Sequence, residues 1–590
     1  MTGNPDITAA LQEGVALHQA GRLAEAEARY RAILEDAPAH ADALHLLGLI
    51  AFQEGRLEEA LAGIERAVEI NGAVAMYHGN RGRILKALGR DADAASAFAA
   101  ALRLQPGDAA VLSDLAGALV DAGDAEAAQQ FARRAGDLAP ELAAAPYNEG
   151  LALAALKETG PAENAFRRAL ERDPRFAAAS HELGAILQQN GDLAGAERQY
   201  REAIANDPAL GEAMTNLGNV LRADGRLEEA VKYYRRALET LGEIATVRGN
   251  LGVALQELGD TDAAIAAYDK ALATEPADAE IRRNRAQALL QKGQFEEGWR
   301  EFEWRWKTRH FAAIRRDWKQ PQWAGETLPE ATVLVHSEQG FGDCIQFARY
   351  LPMLGRRVGR VVLECPAPVA GLMTGLDGVD DVILPGAPLP AYDRHVPLMS
   401  LPGAFATGFD TIPAAVPYLS VAAASETLWG GRVGGGAGLR VGVVWKGSHK
   451  HQRNRWRSPG IEVLRPLLSV PGVRFVSLQK DDEDVDLRKA SLAGAVQPLG
   501  QDFRNFTDTA ATIRNLDLVI APDTAVAHLA GALARPVWLM LPHVGEWRWL
   551  EERTDSPWYP SMRIYRQPAR GDWDGVVEAM AVDLAALAKG

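Results

Sequence analysis

The stretch "LVIAPDTAVAHLAGA" (518–532) combines an apolar run, a polar pair and a helix of small residues. Asp523 and Thr524 stand directly before the helix, and both residue types are good N-caps, so one interpretation is an ordinary capped helix. The other is that the first free amides of the helix hold an anion such as a phosphate. His528 lies one turn after Thr524 on the same helix face. It is either part of that site or a buried structural histidine.

A basic loop, "VVWKGSHKHQRNRWRS" (443–458), follows another apolar run. Because the chain is acidic elsewhere, this cluster predicts a phosphate clamp, the alternative being a solvated charged loop. Its two histidines have no carboxylate or cysteine nearby to complete a zinc site, so we expect no metal. The candidate cations are Lys446, Lys450, Arg453, Arg455 and Arg457.

Two further strand ends carry candidate side chains. In "SLQK" (477–480), Gln479 is a candidate contact to a nucleotide base. In "SEQGFGD" (337–343), the two glycines permit close backbone approach and Asp343 stands at a helix start. Asp343 is either a general base for an acceptor hydroxyl or the cap of its helix. Gln339 is a candidate for orienting the acceptor.

These motifs all follow short apolar runs that alternate with helical segments, which is the pattern of βαβ units and a parallel sheet. A glycine-rich segment, 430–438, separates two such series, and we predict a flexible linker there. The predicted halves are 311–429 on the acceptor side and 439–590 on the nucleotide side, with a cleft between them. Strand candidates in the first half are Thr332 to His336, Arg360 to Glu364 and Val379 to Leu384.

The preceding part of the chain, 7–310, repeats every 34 residues. A small residue recurs on this grid, and an aromatic ring follows sixteen positions later in most units, where we expect it to fill the groove against the next unit. Such spacing predicts nine pairs of antiparallel helices, the tetratricopeptide pattern of an α-solenoid. The grid positions are Gly14, Gly48, Gly82, Ala116, Gly150, Gly184, Gly218, Gly252 and Ala286.

Asparagine recurs two residues before the grid position in five of the units. On the inner helix of such an array, five amides form a ladder that suits an extended peptide main chain. The alternative is that they bond to neighbouring helices within the array. The five residues are Asn80, Asn148, Asn216, Asn250 and Asn284.

Tryptophan is concentrated where the repeats end, with five rings between 299 and 323. We expect them to form a packed hinge that docks the last repeat on the next domain, the alternative being a platform for a sugar.

Composition restricts the remaining classes of function. The 590 residues carry a formal charge of −15, which disfavours general nucleic-acid binding. The two cysteines fit a reducing cytosol rather than a disulfide framework. No signal-peptide pattern and no apolar run long enough for a membrane span are present, so we expect a cytoplasmic location.

The quoted motifs, together with "FTDTAATIRNLDLVIAPDTAVAHLAGALARPVWLMLP" and "EWRWLEERTDSPWYPSMRIYRQ", resemble bacterial tetratricopeptide-repeat proteins with a C-terminal GT-B glycosyltransferase domain. That domain is similar to heptosyltransferases and, more distantly, to O-GlcNAc transferases, whose asparagine ladder holds the acceptor protein. The architecture also looks like that of flagellin glycosyltransferases. The resemblance implies a GT-B fold with two Rossmann-like halves, and an acceptor protein, possibly flagellin, in the repeat groove.

Carried onto this chain, the resemblance implies that Asp343 is the base and that Asp523, Thr524 and His528 face the phosphate. Arg455, Arg457 and Ser458 match the basic loop of the family. The chain departs from the family pattern at Lys446, where a small residue is expected, and at "RNR" (453–455), where "NDR" is expected. Both departures lie in the donor loop and therefore leave the identity of the donor open.

The predicted reaction is an inverting, metal-independent transfer of a sugar to Ser or Thr, with a nucleotide sugar as co-substrate and no cofactor. The donor is a CMP-linked nonulosonic acid or UDP-GlcNAc. Two alternatives remain: a non-catalytic scaffold with a degenerate glycosyltransferase domain, or an enzyme that acts on lipid-linked glycans.

Overall fold

The computed structural model describes residues 5–447, 454–480 and 483–589. The chain forms two compact units, Met1–Gly242 and Glu243–Gly590, which are considered separately below. Among the described residues, no helix combines the length and the apolar character needed to cross a bilayer.

The described part of the first unit consists of fourteen α-helices joined by short turns, which gives seven helix pairs at the predicted spacing. Most turns within a pair place a glycine in the left-handed region, as Gly21 does with a φ of 74°. The helices are α1 (Pro5–Gln19), α2 (Leu23–Asp36), α3 (Ala41–Gln53), α4 (Leu57–Ile70), α5 (Ala75–Ala87), α6 (Asp91–Leu104), α7 (Ala109–Asp121), α8 (Ala125–Leu138), α9 (Ala144–Ala155), α10 (Thr159–Arg172), α11 (Ala177–Gln189), α12 (Leu193–Asn206), α13 (Gly211–Asp224) and α14 (Leu227–Leu241).

The grid glycines serve close packing between the two helices of one pair. A Cβ built on Gly82 would lie 2.6 Å from Cε1 of Phe98, a fully buried ring of the same pair. The same approach recurs between Gly150 and Phe166 and in most other pairs. The recurring spacing of sixteen residues therefore places each ring over the glycine of its own unit. The sequence-based expectation, that the ring fills the groove against the next unit, was different.

The second unit begins with two more helix pairs, so the described helices between Pro5 and Phe302 supply one pair for each predicted repeat. A 3-10 helix (Glu303–Lys307) and the short α19 (Arg309–Ala312) follow them. The four repeat helices are α15 (Ala245–Leu258), α16 (Thr261–Thr274), α17 (Ala279–Gln291) and α18 (Phe295–Phe302).

A four-stranded parallel sheet with the order β3-β2-β1-β4 comes next. The three predicted strands are present with shifted ends, and β4 is an additional strand that the sequence did not reveal. The strands are β1 (Leu328–His336), β2 (Val358–Glu364), β3 (Asp381–Ile383) and β4 (Arg394–Pro397). The helices are α20 (Phe341–Phe347), α21 (Leu351–Gly355), α22 (Ala367–Met373) and α23 (Leu401–Ala404), with 3-10 helices at Ala348–Tyr350, Leu398–Ser400 and Phe409–Thr411.

A second parallel sheet has six described strands in the order β10-β9-β8-β5-β6-β7. The chain first builds outward from β5 in one direction and then returns to build outward on the other side, which is the doubly wound order of dinucleotide-binding folds. The strands are β5 (Leu439–Val443), β6 (Val473–Ser477), β7 (Val496–Pro498), β8 (Leu518–Pro522), β9 (Val537–Leu541) and β10 (Met562–Arg566).

Seven described helices accompany this sheet, and the first of them corrects the predicted linker. Because α24 continues through the first glycines of 430–438 and ends at Val433, only 434–438 joins the halves outside a helix. The helices are α24 (Ala423–Val433), α25 (Asn454–Arg457), α26 (Arg465–Leu468), α27 (Glu483–Lys489), α28 (Phe506–Arg514), α29 (Ala525–Ala532) and α30 (Trp573–Leu587), with 3-10 helices at Gly500–Asp502 and Trp547–Trp549.

Two of the five tryptophans between 299 and 323 are buried against the α/β region, as predicted for a hinge. Trp299 in α18 is 3% exposed and donates its indole N–H to the Thr407 carbonyl at 3.0 Å. Its ring meets that of Trp547 edge-on, with centroids 5.3 Å apart. Trp323 is fully buried. The last repeat is therefore joined to both sheets by buried aromatic contacts.

Candidate functional site

The topological switch point of the six-stranded sheet lies between β5 and β8, which are adjacent although the chain leaves them in opposite directions. In open parallel sheets, ligands bind outside the carboxyl ends of the strands at such a point. Lys446 follows β5 closely, and Asp523 and Thr524 follow β8 directly. Lys446 and Asp523 are 77 residues apart in the sequence, and the fold brings their two motifs to the same edge of the sheet.

The start of α29 offers several uncommitted donors at this edge. Thr524 is the N-cap residue, but its side chain makes no capping hydrogen bond, and its Oγ1 is buried without a partner among the described residues. The first N–H groups of a helix have no acceptor within the helix. A buried hydroxyl without an acceptor is unfavourable, so a ligand oxygen at this position would stabilise it.

Arg457 lies at the same helix start. Its Nη1 donates to the main-chain oxygen of Asp523 at 3.0 Å, while its Nε is buried without a partner in the described part of the chain. The guanidinium group and the positive end of the α29 dipole therefore act together on whatever occupies this position. Such an arrangement attracts a phosphate oxygen.

His528 takes the structural role that the sequence left as an alternative. The side chain is buried, its Nδ1 lies 3.0 Å from the Tyr559 hydroxyl, and its ring stacks on Trp549 with centroids 5.3 Å apart. Its Nε2 is 3.8 Å from Asp523 Oδ1. Burial, reinforced by the nearby guanidinium of Arg548, holds the pKa of His528 well below its usual range. A neutral, buried imidazole fixes the helix start rather than pairing with an anion.

The other predicted donor-side residues are largely committed to the protein itself. The Lys446 ammonium lies 2.6 Å from Asp486 Oδ2, so its charge is already paired. Gln479 is 6% exposed and its Oε1 accepts the N–H of Lys446 at 3.2 Å. Ser458 Oγ accepts the N–H of Gly447 at 3.0 Å and closes the base of the basic loop.

Part of the basic loop falls outside what the structure describes. The candidates Lys450 and Arg453, and the histidines 449 and 451, lie in the undescribed segment 448–453. Arg455 belongs to α25, but its side chain is outside the described atoms. Across 5–447, 454–480 and 483–589, no group of three or more His, Cys, Asp or Glu side chains is arranged to hold a metal.

On the four-stranded sheet, Asp343 caps its own helix and also forms an ion pair. Its Oδ2 accepts the Gly340 N–H at 2.9 Å, and its Oδ1 accepts from the guanidinium of Arg548. Both carboxylate oxygens are thus engaged. The candidate orienting residue Gln339 is exposed on the preceding turn.

Arg548 is the central residue that the sequence did not reveal. Its side chain is 9% exposed and pairs with both Asp343 and Glu546, while its Nε donates to Gln346 Oε1 at 2.5 Å. The guanidinium also lies 4.4 Å from the centre of the Trp547 ring. This single cation links α20 of the first sheet to the loop after β9 of the second.

The starts of α20 and α29 lie directly against each other. A Cβ built on Gly342 would be 3.1 Å from Cδ2 of His528 and 3.5 Å from Cα of Ala525. The "GFGD" and "DT…H" motifs are therefore neighbours in space. The structure unites Asp343, Thr524, Arg457 and Arg548 in one region, while Lys446 and Gln479 are turned to other partners.

The asparagines of the first unit bond within the array. Asn80 and Asn216 lie 2.9 and 3.0 Å from the Nε2 atoms of His45 and His181, each one helix pair earlier. Asn148 donates to the Ser113 carbonyl at 2.8 Å. This is the alternative that the sequence left open, although each side chain remains partly exposed.

In the second unit, the other two asparagines are also bonded. Asn284 Oδ1 accepts from Arg283 at 3.2 Å, and Asn250 likewise has a partner. All five side chains therefore have a partner within the protein.

Comparison with known proteins identifies the repeats. Family profiles described as "Tetratricopeptide repeat" match residues 175–243 and 209–274, and a second set with the same description matches 11–75 and 250–299. The helix pairs within 11–75 and 175–299 are therefore tetratricopeptide repeats.

One curated relative is Protein FlbA of Caulobacter vibrioides, which is 28% identical over 321 residues. The match covers 50% of this chain and 53% of that protein, so the chain spans about half the length of the curated relative.

Among solved structures, a tetratricopeptide repeat protein from Parabacteroides merdae is 16% identical and covers 43% of this chain and 100% of its own, with a TM-score of 0.38. The repeat protein TTC0263 of Thermus thermophilus is 24% identical and covers 31% of this chain and 99% of its own, with a TM-score of 0.29.

Proposed function

We propose that this chain is a nucleotide-sugar-dependent protein O-glycosyltransferase of the GT-B type. Its repeats bind the acceptor protein, with flagellin as the best candidate, and its α/β region transfers the sugar to Ser or Thr. The proposal rests above all on the Thr524 hydroxyl, which has no partner among the described residues, and on Arg457 beside it at the start of α29, at the switch point of a doubly wound sheet.

The proposed donor site consists of the hydrogen-bond donors and the positive charge at the start of α29. A nucleotide phosphate at the start of α29 would accept from the Thr524 hydroxyl, from the first helix amides and from Arg457. These donors would stabilise the negative charge that develops on the phosphate as the glycosidic bond breaks. The donor is a CMP-linked nonulosonic acid or UDP-GlcNAc, as the resemblance of the motifs implies.

The proposed acceptor site is supported by the contacts between the last repeats and the α/β region. Thr261 in α16 donates to Glu551 at 2.5 Å, and the Lys292 ammonium lies 3.4 Å from the same carboxylate. Glu551 follows the 3-10 helix that carries Arg548 by two residues. A protein held by these repeats would thus be kept beside the catalytic region, and such positioning lowers the entropic barrier.

Nucleotide binding can be tested by titration calorimetry with UDP and CMP on the full chain. Thr524→Val removes the hydroxyl with little change in shape, and loss of a hydrogen bond to a charged group should weaken binding by about tenfold or more. Thr512→Val is the matched control, because that buried hydroxyl donates within α28 to the Asp508 carbonyl at 3.0 Å.

Transfer itself is tested by intact mass of a flagellin that is co-expressed with the protein and the matching donor pathway. We expect a mass increase of one or more glycosyl groups, reduced in Thr524→Val. If the wild type binds neither nucleotide and adds no mass, the non-catalytic scaffold is correct instead. Nucleotide binding without added mass on flagellin would favour another acceptor, including a lipid-linked glycan.

A further inference from the structure

We propose that Glu338, rather than Asp343, accepts the proton of the attacking hydroxyl group. This inference rests on the proposed function and names a residue for its acceptor side. Glu338 lies in the "SEQGFGD" turn that follows β1.

The fold places Glu338 at a switch point of its own. β1 lies between β2 and β4, and the chain leaves β1 toward β2 before it returns to β4 on the opposite side. Glu338 is the second residue beyond the end of β1, at the carboxyl edge of this sheet. Ligands of parallel sheets bind at this edge.

The contacts of Glu338 orient the carboxylate and leave one oxygen unused. Oε1 accepts from Nη2 of Arg305 at 2.9 Å, and the same Nη2 donates to the Ser400 hydroxyl at 2.7 Å. Oε2 is buried without a partner among the described residues, and the side chain is 3% exposed. Arg305 is fully buried, so its position is fixed by the structure around it.

The charged groups around Glu338 set a proton affinity that suits a base. Burial, supported by the nearby carboxylates of Glu303 and Asp343 and opposed by Arg305, raises the pKa of Glu338 to about 7. A base works best when its pKa lies near the operating pH. Each oxygen of Asp343 already accepts one hydrogen bond, from Gly340 and from Arg548, whereas Glu338 Oε2 accepts none among the described residues.

The proposed step transfers one proton to Glu338 and exchanges one bond at the anomeric carbon. The hydroxyl of the acceptor Ser or Thr gives its proton to Glu338 Oε2 while its oxygen forms a bond to the anomeric carbon of the donor. The bond between that carbon and the phosphate oxygen breaks, and its electron pair leaves with the nucleotide held at the start of α29. Because Oε2 is buried in this structure, the acceptor hydroxyl reaches it only if the surrounding residues move when the acceptor binds.

The test compares three variants of the full chain in a transfer assay with purified flagellin and nucleotide sugar over a range of pH. Glu338→Gln should lower kcat by about 100-fold, which is the typical contribution of a general base, and remove the rise in rate near neutral pH. Asp343→Asn should lower activity through Arg548 but keep that rise. Glu330→Gln, at an exposed position within β1, is the control and should match the wild type.

Glu338→Asp and a folding check separate catalysis from structure. The shorter carboxylate should retain the pH-dependent rise at reduced rate, and Glu338→Gln should bind UDP or CMP as tightly as the wild type. An unchanged rate and pH profile in Glu338→Gln, or loss of nucleotide binding together with activity, overturns the inference alone. A wild type that transfers nothing overturns the proposed function and this inference with it.

Discussion

Replacing Gly218 with alanine tests how each repeat closes around its aromatic ring. Gly218 lies in α13, and a Cβ at this position would be 2.6, 2.8 and 2.9 Å from three ring carbons of Tyr234 in α14. Carbon atoms normally approach to about 3.5–4.0 Å, so the methyl group overlaps the ring by roughly 1 Å. The ring cannot move freely, because it is fully buried and its hydroxyl donates to Asn219 at 2.8 Å.

The magnitude follows from two opposing terms. Overpacking costs about 1–3 kcal/mol, and three simultaneous overlaps with a fixed ring place this site near the upper value. Alanine regains about 1 kcal/mol because it is the better helix former. The net loss in the free energy of unfolding should therefore be about 2 kcal/mol.

Urea unfolding followed by far-UV circular dichroism measures this loss. Gly136→Ala is the matched control, since a Cβ there would meet only Ala145, at an ordinary 3.8 Å. The control should gain up to about 1 kcal/mol from helix propensity alone. Equal midpoints for the two variants would refute the argument that ring contact requires glycine on the grid.

Two further predictions concern other strained or titrating positions. Lys157 holds a φ of 63° at the turn position where most other repeats have glycine. Because glycine adopts this conformation without strain, Lys157→Gly should raise the free energy of unfolding by about 1 kcal/mol in the same urea assay. Lys157→Ala keeps the strain and should leave the free energy of unfolding unchanged. Burial lowers the pKa values of His336 to about 3 and of His395 to about 4. As the pH falls below 6.5, these histidines therefore bind protons in the unfolded chain but not in the folded one. The folded protein consequently loses stability that it has at higher pH. Between about pH 7 and pH 5, each histidine should lower the free energy of unfolding by about 2 kcal/mol. His395→Gln should therefore lose about 2 kcal/mol less than the wild type over this range, and an equal loss in the two proteins would contradict the assignment.

The repeat array could be predicted because its rules are local. A pair of helices needs a small residue, a ring sixteen positions later and a turn glycine, and all three can be counted along the chain. The strand β4 escaped because it has four residues, Arg394–Pro397, and no alternation to recognise. It becomes a strand by pairing with β1, which is contact over a long sequence distance.

The glycine-rich segment shows the same limit. Gly430 lies within α24, and a Cβ there would be 2.7 Å from Asn515 Oδ1, so this glycine allows close packing against α28. Trp429 and Val433, both buried, anchor the helix around it. Composition alone indicated flexibility because it cannot distinguish a glycine chosen for space from one chosen for freedom.

At the candidate site, spacing indicated motifs that the fold brings close together, but it could not indicate the partners of their side chains. The basic loop suggested a free cation at Lys446, yet Asp486, 40 positions later by subtraction, pairs with it. Arg548 lies 205 residues from Asp343 and takes its second carboxylate oxygen. A carboxylate oxygen that already accepts from a guanidinium group is a weaker acceptor for a substrate proton than an oxygen without a partner. The assignment therefore shifts to Glu338, whose orientation is fixed through one oxygen and whose other oxygen is unpartnered among the described residues.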